Sequence, residues 1–212
     1  MLDQLVGSEL QANLGSAGIG REIIVLEQTA STNDAVLQVA TTDSKEGLVL
    51  FAEHQTAGRG QRGNRWESAA GKGLWFSILL RPGIDLASSA QLTAWAAEAI
   101  SSAIQNEFPL SPRIKPPNDV QIDEHKVAGV LVEMRAQKNA PHLAIVGIGV
   151  NVNQSREDFP KELQSRAISL AMALGKQVDR QKFAVALLRK LDRTYRELFG
   201  KSKRPYGGIH PL

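Results

Sequence analysis

The loop between residues 55 and 66 contains the side chains best suited to binding an anion. Its sequence is QTAGRGQRGNRW, in which arginines and glycines alternate before a tryptophan: Arg59, Arg62, Arg65, Gly58, Gly60, Gly63 and Trp66. Glycines let backbone N–H groups approach phosphate oxygens, and guanidinium groups bind phosphate or carboxylate through two hydrogen bonds. No Gly-Lys-Ser/Thr sequence follows, so this is not a Walker loop. We predict an anion-binding loop, although RNA-contacting and disordered loops share this composition.

A second segment brings an amide, a carboxylate and an ammonium group close together. Asn118 and Asp119 follow two prolines, and Lys126 begins the next apolar run. A carboxylate here suits Mg²⁺ or an incoming amine, and the ammonium group suits a carboxylate or an α-phosphate. The alternatives are an ordinary Asx turn and a solvated hairpin lysine.

Two glycines interrupt a strongly apolar segment, IVGIGVNVN, over residues 145–153. Gly147 and Gly149 are two positions apart, so in a strand they share one face. Such glycines mark a bulge, or the close approach of a ligand or of backbone. Asn151 and Asn153 are placed either to contact an adenine edge or simply to end the strand.

Composition excludes several classes of protein. The chain has 212 residues, which predicts one domain, and its net charge of +3 is too small for a dedicated nucleic-acid binder. Cysteine is missing from the sequence, which removes disulfides, thiolate nucleophiles and cysteine-ligated zinc. No leader pattern or long apolar run occurs, so we expect a cytoplasmic protein without membrane contact. Neither metal-ligand spacing nor a serine–acid pairing accompanies the histidines at positions 54, 125, 142 and 210.

The elements that must position these groups follow from periodicity. Strands are predicted over residues 21–28, 48–53 and 74–80, and an antiparallel meander over 114–122, 127–134 and 143–152. Helices are predicted over 31–41, 86–108 and 168–174 and after residue 179. Ser31 and Asp34 have the spacing of a capping box, Gly175 that of a helix end, and Asp179 that of a cap. The order indicates an α+β fold with a mixed, largely antiparallel sheet.

Four segments in order resemble the catalytic domain of biotin protein ligases: Ser31-Thr32-Asn33, Gln55 with GRGQRGNRW, KPPNDV with KVAGVLVE, and GIGVNVN. The resemblance covers about residues 20 to 200. It implies the fold of class II aminoacyl-tRNA synthetases and biotin ligases, with helices packed on one face of the sheet. It also implies a catalytic domain over residues 1–200 and a short tail over 201–212, without the winged helix or small β-barrel of longer members.

The implied activity is that of an ATP-dependent biotin–protein ligase. Biotin is activated as biotinyl-5′-adenylate and passed to a lysine of a biotin carboxyl carrier protein, with ATP and Mg²⁺ as cofactors. The resemblance implies no DNA partner and a monomer or homodimer. A lipoate or octanoate ligase or transferase of the same fold is the nearest alternative, and a non-catalytic biotin- or RNA-binding domain is another.

The resemblance also implies roles for individual residues. The catalytic residues would be Arg59, Lys126 and Asp119, with Asp119 also at the metal. The biotin-binding residues would be Ser31, Thr32, Asn33, Gln55, Arg59, Gly60, Gln61, Lys126, Gly129, Gly147 and Gly149. The nucleotide-binding residues would be Arg62, Arg65, Trp66, Asn118 and Asn151.

The sequence departs from the family pattern at two of these segments. Pro116 stands where the family usually has tryptophan, so the packing around Asn118 and Asp119 is expected to differ. Gln61 stands where many members have arginine, and a neutral amide predicts a weaker grip on the adenylate. In the tail, Lys201, Lys203 and Arg204 are either a remnant phosphate contact or a solvated basic end.

Overall fold

A computed structural model describes residues 4–40, 46–138 and 140–200. The predicted basic tail and the fourth histidine therefore lie outside the described residues. Over the described part of the chain, no helix is both long and apolar enough to cross a membrane. The elements in chain order are α1 (Gly7–Leu14), β1 (Glu22–Thr29), α2 (Thr32–Val39), β2 (Leu48–Gln55), β3 (Gly73–Leu80), α3 (Ser89–Glu107), β4 (Arg113–Lys115), β5 (Asp119–Ile122), β6 (His125–Arg135), β7 (Leu143–Asn151), α4 (Leu170–Leu174) and α5 (Arg180–Phe199).

The seven strands form one sheet in the order β1-β2-β3-β7-β6-β5-β4. Only β1 and β2 pair in parallel, and the remaining neighbours are antiparallel. Strands β5, β6 and β7 pair in sequence, as predicted for the meander. The single strand predicted over 114–122 is wrong, because the prolines at 116 and 117 separate it into β4 and β5, which pair antiparallel. The prediction of an α+β fold with a largely antiparallel sheet is confirmed. Helix α1 was not predicted, because only two of its side chains are buried and its apolar periodicity is weak.

The core lies on both faces of the sheet. Helices α1, α3 and α5 contribute to the larger cluster, which contains Val49 and Phe51 of β2. The short helix α2 differs from the expectation of helices on one face, since its Ala35 and Val36 pack with Leu48 of β2 on the opposite side. Successive strand residues point to opposite faces, so β2 is apolar throughout because both of its faces are covered.

Two of the three predicted helix ends are confirmed. Gly175 ends α4 in the left-handed conformation, and Asp179 accepts a hydrogen bond from the Lys182 backbone N–H at 2.9 Å. The prediction of a capping box at the start of α2 is wrong, because the Ser31 side chain makes no capping hydrogen bond and the Asp34 carboxylate pairs with Arg59. The first turn of α2 is consequently held by contacts with the loop that follows β2.

Candidate active site

A cavity of about 300 Å³ opens on the face of the sheet that carries α2. Every residue predicted for the site, except Asn151, lines it: Ser31, Thr32, Asn33, Gln55, Arg59, Gly60, Gln61, Arg62, Arg65, Trp66, Asn118, Asp119, Lys126, Gly129, Gly147 and Gly149. Pro116 lies in the same lining, at the position where the sequence departs from the family pattern. Segments far apart in the chain thus meet at one cavity.

The start of α2 forms a polar pocket with the end of β2. The Thr32 backbone N–H donates to Gln55 Oε1 at 2.8 Å, and the Thr32 hydroxyl donates to the same oxygen at 3.2 Å. The Ser77 hydroxyl lies 2.8 Å from Thr32 Oγ1 and 2.6 Å from Asn33 Oδ1. All four side chains are buried, so these bonds fix their rotamers before a ligand enters.

Ser77 was not predicted from the sequence as a residue of the site. It lies in the middle of β3 and has no measurable exposure, behind the residues that line the cavity. A signal existed, because it is the one polar residue of the strand GLWFSILL. A buried hydroxyl in an apolar strand requires a hydrogen-bond partner, so Ser77 could be expected to contact another polar group of the fold.

The strand glycines make room for protein side chains. A Cβ at Gly147 would lie 2.3 Å from Asn33 Oδ1, and one at Gly149 would lie 2.4 Å from Trp66 Cε2. On the neighbouring strand, Gly129 pairs with Gly149, and its Cβ would lie 2.9 Å from Trp66 Cζ3. The sequence pattern left open a bulge, a ligand or backbone at these positions, whereas protein side chains occupy the space at both β7 glycines.

The arginine–glycine loop folds back on itself. Its two limbs form a bridge between Arg59 and Arg65, supported by hydrogen bonds from Gly60 N–H to Asn64 O at 2.7 Å and from Trp66 N–H to Gly58 O at 2.9 Å. This hairpin places the indole of Trp66 against Gly129 and Gly149, which we call the glycine floor of the cavity. Within the described residues, the buried Trp66 Nε1 has no hydrogen-bond partner, so its donor capacity is unused by the protein.

Lys126 lies next to this indole. Its Nζ is 5.2 Å from the Trp66 ring centroid and 2.6 Å from Asp119 Oδ1. The backbone at Lys126 is held on both sides, since its N–H donates to Arg166 O at 2.8 Å and its carbonyl accepts from Ile168 N–H at 3.0 Å. The ammonium group is therefore fixed at the cavity by a carboxylate, an aromatic face and a rigid main chain.

Asn151 does not reach the cavity, contrary to expectation. Its buried amide donates to Lys126 O at 3.3 Å and to Ile168 O at 3.1 Å, and its oxygen accepts from Gln154 Nε2 at 3.0 Å. The segment around Ala167 runs beside Lys126 and covers this end of β7. The geometry gives Asn151 a role in holding the Lys126 backbone, and a contact with adenine would require it to leave these partners.

Arg59 is engaged by two carboxylates. Its guanidinium forms a two-point ion pair with Asp34, one contact being 2.9 Å, and its Nη2 lies 3.1 Å from Glu133 Oε2. The hydrogen bond from Arg59 lowers the pKa of Asp34, and the Asp34 partner raises the pKa of Arg59 above its usual range. Neither carboxylate was assigned this role from sequence, because the 74 positions between Arg59 and Glu133 hide their proximity.

Comparison with known proteins agrees with this geometry. Residues 25–151 match the model of the Biotin/lipoate A/B protein ligase family. The bifunctional ligase/repressor BirA of Bacillus spizizenii is 37% identical over 194 residues, covering 92% of this chain and 60% of that protein. The biotin–(acetyl-CoA-carboxylase) ligase of Mycobacterium tuberculosis is 34% identical over 199 residues, covering 90% and 67%.

Comparison with solved structures also finds similarity to biotin protein ligases. The biotin protein ligase from Aquifex aeolicus, in complex with biotin and ATP, has a TM-score of 0.72 and 32% identity, covering 86% of this chain and 73% of that chain. A domain with this sheet, this cavity and these neighbours is of the biotin ligase-like class. The chain belongs to the biotin/lipoate A/B protein ligase family. It spans 60% of the length of its Bacillus relatives.

Proposed function

We propose that this protein activates biotin with ATP and transfers the biotinyl group to a lysine of a biotin carboxyl carrier domain. The observation that carries the proposal is the arrangement of one cavity. A buried polar pocket at Gly147, the indole of Trp66 against Gly149, and the Lys126–Asp119 pair all line it. Asp119 of β5 lies across the sheet from Gly149, because it pairs with Gly129 of β6, which pairs with Gly149. The step from Gly147 to Gly149 is about 7 Å and two strand spacings of about 5 Å separate β7 from β5, which suits a bicyclic ring and an acyl chain.

The polar pocket fits the ring of biotin. A ureido group carries both N–H donors and a carbonyl acceptor, and each needs a partner when it is buried. Thr32, Asn33 and Gln55 supply amide and hydroxyl groups that already hold one another in place. The pocket therefore recognises the ring with little further ordering, which lowers the entropic cost of binding.

The other end of the cavity fits the reacting carboxylate. In the first step the biotin carboxylate oxygen attacks the α-phosphorus of ATP, a new P–O bond forms, and pyrophosphate leaves. Lys126 is placed to neutralise the carboxylate and the charge that develops on the α-phosphate. In the second step the carrier lysine attacks the acyl carbon, AMP leaves, and the ammonium proton is lost. Asp119 is the nearby carboxylate suited to orient that amine and accept its proton.

Mg²⁺ fits this site through ATP rather than through a protein cage. The described residues contain no cluster of three or more metal-binding acidic, histidine or cysteine side chains. Mg²⁺ commonly binds through one or two carboxylates together with substrate phosphates, so Asp119, with Asn118 beside it, is the candidate ligand. When bound, the ion neutralises phosphate charge. Arg62 and Arg65 of the loop are placed to contribute further positive charge to the nucleotide.

Calorimetry with biotin and with lipoate tests the choice of substrate. Lipoate has no ureido ring, so we expect biotin to bind at least about 10-fold more tightly. Thr32→Val removes one hydroxyl and keeps the side-chain volume, and it should weaken biotin binding by about 10-fold. Thr93→Val in α3, remote from the cavity, is the matched control and should leave binding unchanged. Tighter binding of lipoate, or normal biotin binding by Thr32→Val, would favour the lipoate alternative.

A further inference from the structure

A continuous chain of polar contacts connects the buried pocket to the arginine–glycine loop. It begins at Ser77, which contacts Asn33 Oδ1, and continues as Asn33 Nδ2 donates to Glu133 Oε2 at 2.6 Å. The same Glu133 oxygen accepts from Arg59 Nη2 at 3.1 Å. Among the described residues, Glu133 is thus the carboxylate that contacts both the pocket and the loop.

The charges in this cluster argue against Arg59 as a direct ligand for phosphate. One guanidinium is held by Asp34 and Glu133, and the positive charge of Arg135 also acts on Asp34. An approaching phosphate would have to displace two carboxylates from Arg59, whereas Lys126 is paired with Asp119 alone among the described carboxylates. Electrostatic complementarity therefore favours the other cations of the cavity for the nucleotide.

We propose that Glu133 is a positioning residue. Together with Asp34, it anchors the side chain of Arg59 and so fixes the position of the loop. The inference rests on the proposed function. Within it, Arg59 has a structural role in the loop, and the other cations of the cavity contact the nucleotide. Arg59 fixes the limb that precedes Gln61, and the opposite limb of the hairpin then carries Trp66 to the glycine floor. Because Glu133 also holds the Asn33 amide, the biotin pocket and the loop are ordered by the same carboxylate.

The position of Glu133 in the sheet supports this role. It lies on β6 at the same face as Gly129, since the two are four residues apart in a strand. Its side chain is about one-third exposed, so the contact with Arg59 is partly screened by solvent. The expected effect of losing its charge is therefore on loop position and ligand affinity rather than on global folding.

Limited trypsin digestion of the unliganded protein tests loop position directly. Glu133→Gln keeps an acceptor oxygen for Asn33 and removes the charge that holds Arg59. We expect it to accelerate cleavage after Arg62 and Arg65 several-fold, and Asp34→Asn to do the same. Glu67→Gln is the matched control, because it removes the carboxylate of an exposed loop pair with Arg65 and leaves Arg59 held. Cleavage of Glu133→Gln at the wild-type rate would overturn the proposal.

Steady-state kinetics of pyrophosphate release provide the second test. A loosened pocket and loop should raise the KM for biotin by about 10-fold, since small displacements of positioned groups are costly. The KM for ATP should not fall. If Arg59 is a phosphate ligand masked by the carboxylates, Glu133→Gln frees it, and the KM for ATP falls while cleavage stays unchanged. That outcome contradicts the proposal.

The two tests separate failure of this inference from failure of the proposed function. Trypsin cleavage needs no activity, so it reports on Glu133 even if the wild-type protein releases no pyrophosphate. A thermal unfolding midpoint within a few degrees of wild type shows that Glu133→Gln is folded. If Glu133→Gln unfolds at a much lower temperature, trypsin digestion of Asp34→Asn provides the same test, because Asp34 is the other carboxylate that holds Arg59.

Discussion

Gly147 and Gly149 show how single missing side chains determine the shape of this site. Both residues face the cavity, yet each makes room for a different protein group, Asn33 at one position and Trp66 at the other. The same substitution at the two positions should consequently have two different effects. If the two glycines only made room for a ligand, alanine at either position would have a similar effect.

We expect Gly149→Ala to displace the indole of Trp66 and to increase quenching of tryptophan fluorescence by acrylamide. Gly147→Ala should displace the Asn33 amide and leave the fluorescence unchanged. Both variants should weaken biotin binding, because both disturb groups that line the same cavity. Unchanged quenching in Gly149→Ala would show that Trp66 does not lie on the glycine floor in solution.

The types of residue at the site could be predicted, but their partners could not. The sequence patterns identify the glycines, the loop arginines and Lys126, because those types have a direct chemical meaning. Asn33 and Glu133 are 100 positions apart, and nothing in the local sequence indicates that they touch. Asn151 illustrates the same limit, since its amide, predicted to contact adenine, hydrogen-bonds the main chain of a neighbouring strand and the sequence gives no sign of that partner.

Among the elements, the predictions succeed where periodicity is strong. Helices α3 and α5 and strands β6 and β7 bury regular apolar patterns, and each was predicted within a few residues. The exposed strand β4 has no such pattern, and it was predicted as one strand with β5. Helix α2 has only eight residues, so its face could not be decided from spacing alone. Its packing opposite the other helices is what brings Thr32 and Asn33 to the glycine face of the sheet.

The contact between α5 and the sheet contains a buried ion pair. Arg180 has no measurable exposure, and its Nη1 lies 2.8 Å from Glu53 Oε2 and 3.0 Å from Gly73 O. Glu53 precedes Gln55 by two positions on β2, and its other oxygen accepts from the Leu5 N–H at 2.8 Å. The pair therefore joins the first described residues, α5 and the strand that supplies Gln55.

Arg180→Met should destabilise the protein by about 3–5 kcal/mol, because it leaves the Glu53 carboxylate buried without its cation. Lys182→Met, two residues further along α5 in an exposed pair with Asp179, should cost less than about 1 kcal/mol. Urea unfolding of the two variants measures both values. Equal costs would mean that the buried pair is not a structural link between α5 and the sheet.

At the scale of the whole molecule, the site is assembled by sheet topology. The cavity draws on residues from Ser31 to Gly149, and the strand order places β7, β6 and β5 side by side so that Gly149, Gly129 and Asp119 line one surface of it. Sequence periodicity predicts these strands, but their order depends on pairing across long separations. The order of motifs shared with biotin protein ligases compensated for this missing information.

The central claim is that this cavity joins biotin to ATP, and pyrophosphate release from MgATP tests it most directly. Wild-type protein should release pyrophosphate only when biotin is present. Lys126→Met should lose about 100-fold or more of that rate, because it removes the cation at the reacting carboxylate. Lys72→Met, which removes a surface cation outside the cavity lining, should retain it. Release without biotin, or an undiminished rate in Lys126→Met, would contradict the account.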